Sequence, residues 1–300
     1  MKEDLMLGGH NLCAGCPEGM MMRALLHSTT KKVVVVNATG CLEVSTTLFP
    51  HNSWKVPWIH SAFENTGAVA TGVVEALNHM KREGKITEDV EVVAVAGDGG
   101  TYDIGLQALS GSWERGHNYI WFAEDNEAYM NTGIQRSGAT PMFAWTKTSE
   151  VGSAHQGKEQ TKKDIISIAV AHNLPYIATV SPGMFTDFLT KAAKVYTIKG
   201  PRFICAISPC VPGWKYESSQ TLNIAKLAVD TCVWPLYEIE HGVWKLSYDP
   251  GENKKPVSEY LKLQGRFKHV LLPENKHMLD AMQHAVDERW KTIKAKCGVH

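Results

Sequence analysis

The sequence predicts a doubly wound α/β domain with a mostly parallel sheet, followed by a C-terminal extension. Three observations carry this reading. Short β-rich runs alternate with helical stretches, the form taken by a parallel sheet covered on both faces. Two of the runs end in turns with oxygen-bearing side chains, Gly97-Asp98-Gly99-Gly100 and Asp125-Asn126, where open α/β sheets gather their sites. Beyond Gly213 the alternation gives way to a hairpin-like pattern and one long final helix.

In chain order, strands are expected at 33–37 (VVVVN), 91–96 (EVVAVA), 118–123 (NYIWFA), 175–180 (PYIATV) and 201–208 (PRFICAIS). Helices are expected at 17–28, 62–83, 103–115, 162–173 and 183–199, with Gly84 and Gly200 placed where glycine ends a helix. The 62–83 helix carries Gly67, Ala68, Ala70, Thr71, Gly72 and Ala76, small residues that suit close packing. A helix near 218–231, a hairpin YEIE-HG-VWKLSY and a helix near 275–296 make up the tail. The reading divides the chain into an α/β domain at 1–215, carrying the ligand motifs, and an extension at 216–300. The segments 38–60 and 140–160 read as long loops, a length that points to function or disorder.

Composition narrows the function. Of 300 residues, 44% are hydrophobic and 21% charged, an ordinary globular balance. Thirty-one basic and 31 acidic residues give a formal charge of zero, so nothing favours nucleic acid or an anionic membrane. No run of 18 apolar residues suggests a membrane span, and the start MKEDLMLGGHN lacks the apolar core of a signal peptide. A cytoplasmic protein is expected. Seven cysteines, an odd number in a chain of this size, point to metal or redox chemistry over a disulfide framework.

The segment from VAVAGDGG to DNEAYMNTG is the most informative. If the two strands are neighbours, Asp98 and Asn126 converge at one crevice. Mg²⁺ is a hard cation that takes about six oxygen ligands, some from phosphate and water. Asp98 would supply a carboxylate oxygen, Asn126 an amide oxygen and Ala128 a backbone carbonyl. Gly97, Gly99 and Gly100 would let backbone N–H groups approach a diphosphate at the start of the next helix. GDG followed at this distance by Asn matches the thiamine-diphosphate motif, and it lacks the lysine of a P-loop. A plain strand-to-helix turn is the alternative for GDGG alone.

Cys13-Ala-Gly-Cys16 precedes Pro17, which could open a helix. Cys41 sits in the turn after VVVVN, and Cys210 in the turn after PRFICAIS. Four such thiolates could bind zinc or an iron–sulfur cluster, and spacing does not separate the two. Cys205, Cys232 and Cys297 read as buried small hydrophobes.

Together, GHNLCAGCPE, VVNATGCLEV, WKVPWIHSAFEN, GDGGTYDIGLQALSGSWERGHN, DNEAYMNTGIQRS and SPCVPGW resemble the β subunit of pyruvate:ferredoxin oxidoreductase and its relatives, over nearly the whole chain. The resemblance implies a sheet of the thiamine-diphosphate-binding (diphosphate-domain) type. It implies a [4Fe–4S] cluster on Cys13, Cys16, Cys41 and Cys210, and Mg²⁺ with thiamine diphosphate on Asp98, Asn126 and Ala128. Asn131 matches a position facing the reacting end of the cofactor, where a catalytic role is expected. Glu18 and Glu64 lie in similar segments and could approach the cofactor; a solvated or helix-capping carboxylate is the plainer alternative. Two departures stand out: Pro17 and Gly138 replace the glycine and serine of CAGCGE and QRSSATP.

The implied activity is oxidative decarboxylation of pyruvate or a related 2-oxoacid, with electrons passed through the cluster to ferredoxin. An α-type subunit would complete the thiamine site, a ferredoxin-like subunit would carry electrons to external ferredoxin, and coenzyme A would take the acyl group. Oxalate oxidation to CO₂ without coenzyme A is the second reading. A thiamine-dependent decarboxylase or carboligase, and a zinc-stabilised non-catalytic subunit, remain further alternatives.

Overall fold

The computed structural model describes residues 3–299, so the outer ends of the segments 1–215 and 216–300 lie outside the described residues. Eight strands form one sheet in the order β2-β1-β3-β4-β6-β5-β7-β8. Six are parallel: β1 (Lys32–Ala38), β2 (Trp58–Ser61), β3 (Val90–Gly97), β4 (Ile120–Asp125), β5 (Tyr176–Val180) and β6 (Arg202–Ile207). β7 (Tyr237–Glu240) and β8 (Val243–Leu246) form the predicted hairpin and join the sheet antiparallel, β7 against β5. The tail thus supplies two strands to the sheet itself.

Alternate residues of the central strands serve opposite faces, because side chains along a strand point alternately up and down. Val92, Ala94 and Ala96 pack on one face, and Val93 and Val95 on the other. The first face is covered by α3 (Thr66–Arg82), α4 (Leu106–Glu114) and α5 (Ile165–Ala171), through residues such as Ala70, Trp113 and Ile165. α1 (Glu18–His27) and α6 (Phe185–Val195) cover the second, through Met21, Leu25, Phe188 and Val195. Each fully buried Val, Leu or Phe contributes roughly 1.5–3 kcal/mol. The two-sided covering explains why the strands read as unbroken apolar runs.

The segment 38–60, expected as a loop, contains a short helix, α2 (Cys41–Thr46), and runs into β2. Cys41 is therefore the first residue of a helix, one step past the turn it was expected to occupy. β2 is only four residues long and starts just after Pro57, too short to show a period. The expected helix at 103–115 begins instead with a wide turn at Gly99–Asp103, where Ile104 N–H donates to the Gly99 carbonyl, before α4 starts at Leu106. Such i→i+5 turns recur at functional sites. The expected 162–173 helix starts late, at Ile165, because the Asp164 side chain accepts from Ser167 N–H and caps it there. This leaves Lys162 and Lys163 outside the helix. The segment 140–160 contains no named helix or strand.

At the end of the sheet opposite the crevice, Arg202 and Glu91 form an ion pair of 2.6 Å, both essentially inaccessible. Arg202 also donates to the carbonyls of Gly200 and Ile198, so its guanidinium is satisfied. Breaking a buried pair from one side leaves an uncompensated charge. Glu91→Gln is expected to cost ~3–5 kcal/mol of stability, read as a lower urea midpoint; an unchanged midpoint would show that the remaining acceptors of Arg202 suffice to hold its charge.

Candidate functional site

Parallel pairing places the C-terminal ends of β1, β3, β4 and β6 along one edge. Gly97 is in register with Glu124, and Asp125 with Ile207. Asp98 thus stands beside Asn126 across neighbouring strands, as the motif requires. One cleft at this edge is lined by Gly97, Asp98, Gly99, Asn126, Ala128 and Asn131, and also by Cys41. Asn131 lies on its exposed side. Gly100 does not line it; it packs beneath, against Ala96 and Phe63. Gly99 must be glycine, since a Cβ there would lie 2.2 Å from the Tyr129 ring and 2.7 Å from Phe63.

The side-chain oxygen of Asn126 lies 2.9 Å from Asp98 Oδ1 and 2.8 Å from the Ala128 carbonyl oxygen. Its Nδ2 meanwhile donates to Glu18 Oε1 at 3.3 Å. Three acceptors facing one another repel. Either the amide turns so that its NH₂ donates to both neighbours, or a cation sits among the oxygens. An octahedral site with bonds of ~2.0–2.1 Å has edges of about 2.9 Å, so both separations from the Asn126 oxygen match edges around a small hard cation. Asp98 is buried, and burial together with neighbouring Asp125 pushes its carboxyl well above the usual range. Ser137 Oγ donates to Asp98 Oδ2, which leaves Oδ1 for the triplet.

Around this turn lie charges the sequence did not single out. Lys162 pairs with Asp125 at 2.7 Å and Glu127 at 2.9 Å, and Arg266 pairs with Glu127 at 2.5 Å. Burial opposes ionisation of Glu127, but Lys162 and Arg266 outweigh it and hold the carboxyl below its usual range. Tyr102 OH donates to Asp125 Oδ2 at 2.6 Å. Trp214, fully buried, donates its Nε1–H to the Asn126 carbonyl at 2.8 Å. Ser137 lies in a quoted motif and was within reach of sequence reasoning. Arg266 is 139 positions from Glu127, and no sequence signal joins them.

The cysteines converge from three segments. Cys16 N–H donates to the Cys13 carbonyl in a tight turn; Gly15 has φ +80°, and a Cβ there would lie 2.5 Å from the Ser218 carbonyl oxygen. Cys210 precedes the short helix α7 (Val211–Trp214). Gly213 on α7 packs against Met130, so the nest adjoins the cleft. Burial raises the thiols of Cys16, Cys41 and Cys210, the last to about 12, and the sulfurs act on one another: Cys210 on Cys16 and Cys41, Cys13 on Cys41 and Cys210. Cys13 is exposed. Among the described residues, no three His, Cys, Asp or Glu side chains are gathered closely enough for a single metal ion. Cys205 and Cys232 are buried in the core; Cys297 is half-buried at the end of the last helix.

Glu18 is buried beside this nest, and desolvation pushes its carboxyl up to about 7 against hydrogen bonds from Asn126 and Cys16. Glu124, also buried, is raised by burial and by Glu18. Glu64 is exposed on the surface.

Comparison with known proteins bears on this arrangement. A model of the C-terminal thiamine-pyrophosphate-binding domain of thiamine pyrophosphate enzymes matches residues 38–206. Pyruvate synthase subunit PorB of Methanocaldococcus jannaschii is 47% identical over 294 residues, 97% of each chain. The PorB subunit of Thermotoga maritima is 46% identical, covering 95% of this chain and 90% of that one. Ketoisovalerate oxidoreductase subunit VorB of Pyrococcus abyssi is 41% identical, covering 97% and 93%. A solved 2-oxoglutarate:ferredoxin oxidoreductase from Magnetococcus marinus superposes with a TM-score of 0.59 at 16% identity, over 75% of this chain and 80% of that one, a likeness of fold.

Removing the Asp98 carboxylate should abolish binding of a divalent cation with its diphosphate. Ser137→Ala, which frees Asp98 to rotate, should weaken it by ~10-fold or more. Calorimetric titration of Mg²⁺ and thiamine diphosphate measures both; full affinity in Asp98→Ala would place the cation elsewhere.

Proposed function

The chain belongs to the family of pyruvate synthase PorB and ketoisovalerate oxidoreductase VorB subunits, thiamine-dependent 2-oxoacid oxidoreductases, and from that premise we propose that it is the cofactor-holding β subunit of a pyruvate:ferredoxin oxidoreductase. The observation that carries the proposal is the cleft itself. It gathers the Asp98, Asn126 and Ala128 oxygens at one strand edge and includes Cys41 in its wall.

Asp98, Asn126 and the Ala128 carbonyl would hold Mg²⁺, and the bare backbone at Gly97, Gly99 and Gly100 would admit the diphosphate. When bound, thiamine diphosphate supplies the electron sink for decarboxylation. Glu18, accepting from the Asn126 amide nitrogen, would turn the amide oxygen toward the cation. Asn131, on the open side of the cleft, would contact the substrate. Cys13, Cys16, Cys41 and Cys210 would hold a [4Fe–4S] cluster. Cys41 lines the cleft and would also be a cluster ligand, so electrons leaving the substrate would have a short path to the cluster. Exposed Cys13 marks the outward side, facing a ferredoxin-like subunit and then ferredoxin.

The cleft encloses about 80 Å³, far below the ~300 Å³ of a pocket that buries a whole small molecule. An α-type partner would therefore supply the other wall. Seven unpaired cysteines suit the reducing cytoplasm, and no helix among the described residues is long and apolar enough to cross a membrane. Pyruvate is the proposed substrate, with coenzyme A as acyl acceptor. A branched 2-oxoacid is the second reading, favoured by the VorB relative; the comparisons do not favour oxalate.

The anaerobically assembled complex should reduce ferredoxin or a viologen with pyruvate and coenzyme A. Its kcat/KM for pyruvate should exceed that for 2-oxoisovalerate by ~10-fold or more. No reduction with any 2-oxoacid would end the proposal. For the cluster, Cys210→Ala should lose iron and visible absorbance, whereas Cys205→Ala should keep both. Equal loss from the two would reject the ligand set.

A further inference from the structure

The turn that carries Asn126 is unusual in its surroundings. Asp125, Asn126 and Glu127 are three consecutive buried polar residues, and Glu127 has φ +68°, a left-handed conformation that non-glycine residues rarely adopt. Something must hold this turn, because Asn126 and the Ala128 carbonyl present their oxygens from either side of it. Within the α/β part of the chain, Lys162 bridges Asp125 and Glu127, and Thr140 Oγ1 donates to the Glu127 carbonyl at 2.7 Å. The remaining Glu127 oxygen is taken by a residue of the C-terminal extension, Arg266.

Arg266 is almost fully buried. Its Nε donates to Gln264 Oε1 at 2.9 Å, its Nη2 to Glu127 Oε2 at 2.5 Å, and its guanidinium lies 3.9 Å from the centre of the Trp214 ring. Trp214 in turn donates its indole N–H to the Asn126 carbonyl and its backbone N–H to the Cys210 carbonyl, both at 2.8 Å. One planar cation therefore touches both the turn that offers oxygens to the cation and the ring that spans from that turn to the Cys210 loop. A lysine cannot do both, since it is a point charge without the flat face that stacks on an indole.

We propose that Arg266 is a positioning residue through which the C-terminal extension fixes the cation-binding turn and sets its spacing from the Cys210 loop. The inference rests on the reading of Asp98, Asn126 and Ala128 as the Mg²⁺ site. It assigns the extension a part in the cofactor site although residues 216–300 supply none of the proposed ligands.

The test uses the assembled complex with Arg266→Met, Arg266→Lys and, as a control, Glu91→Gln, which breaks a buried ion pair at the opposite end of the sheet. Calorimetry reads Mg²⁺-dependent thiamine diphosphate affinity, electron paramagnetic resonance reads the reduced cluster, and urea unfolding reads stability. In Arg266→Met the affinity should fall by ~10–100-fold, as for other supporting residues behind a metal ligand, and the cluster signal should change shape. Arg266→Lys should fall between this variant and the parent. Glu91→Gln should lose stability while keeping affinity and signal. The proposal fails if Arg266→Met binds within twofold of the parent, or if Glu91→Gln loses affinity to the same degree. Should Arg266→Met not assemble, Arg266→Lys decides: parental affinity and signal overturn the proposal, and an intermediate loss supports it. A parent complex that binds no Mg²⁺ with thiamine diphosphate overturns the site reading itself, an outcome separate from the others.

Discussion

The close approach of the Asn126 amide to Asp98 Oδ1 and the Ala128 carbonyl, at the end of β3 and β4, is the constraint around which the rest of the site is arranged. The Asn126 amide oxygen lies 2.9 Å from Asp98 Oδ1 and 2.8 Å from the Ala128 carbonyl oxygen, each separation close to an octahedral edge around a small hard cation. Such an arrangement is unfavourable alone and favourable around a divalent cation. Holding it requires that each contributor be fixed from behind, because a free side chain would rotate away. Ser137 fixes Asp98, Glu18 takes the Asn126 amide nitrogen, and Trp214 takes the Asn126 carbonyl.

The same edge of the sheet is crowded with buried acids, and they divide by what faces them. Asp125 and Glu127 have cations at salt-bridge distance in Lys162 and Arg266. Glu18 and Glu124 face the cysteine nest, and among the described residues neither has an ion-pair partner; burial raises both. The proposed cluster on four thiolates would carry negative charge of its own, and carboxyls whose ionisation burial opposes would be compatible neighbours on that side. Left-handed Glu127, whose conformation costs ~1–3 kcal/mol, is tolerated because two cations and Thr140 over-determine its place.

Much of this was legible from residues alone, and the reasons are local. The parallel sheet shows because strands buried on both faces read as apolar runs, and the Asp98–Asn126 pairing shows because both residues sit at strand ends. β2 and α2 were not legible: four strand residues and six helical ones are too short to show a period. Arg266 was invisible for a different reason. Its partner Glu127 is brought near only by the way the extension folds back, and an arginine in a polar tail looks like any solvated charge. The hairpin was visible as YEIE-HG-VWKLSY, but its pairing with β5 is a matter of topology.

The two departures from the related motifs differ in physical weight. Pro17 stands at the start of α1, where a missing N–H costs nothing because first-turn donors have no partner within the helix, and its carbonyl still accepts from Met21. Gly138 is another matter. A Cβ there would lie 2.4 Å from Asp103 Oδ1, and Asp103 accepts from Gly138 N–H at 2.7 Å, Tyr129 OH at 2.9 Å and Lys163 at 2.7 Å. A serine at 138 would push this carboxylate aside and loosen Tyr129, the ring that lies over Gly99 in the cleft. Glycine at 138 and the observed seat of Asp103 are thus a matched pair. Position 138 therefore bears, through Asp103 and Tyr129, on the shape of the cleft above Gly99.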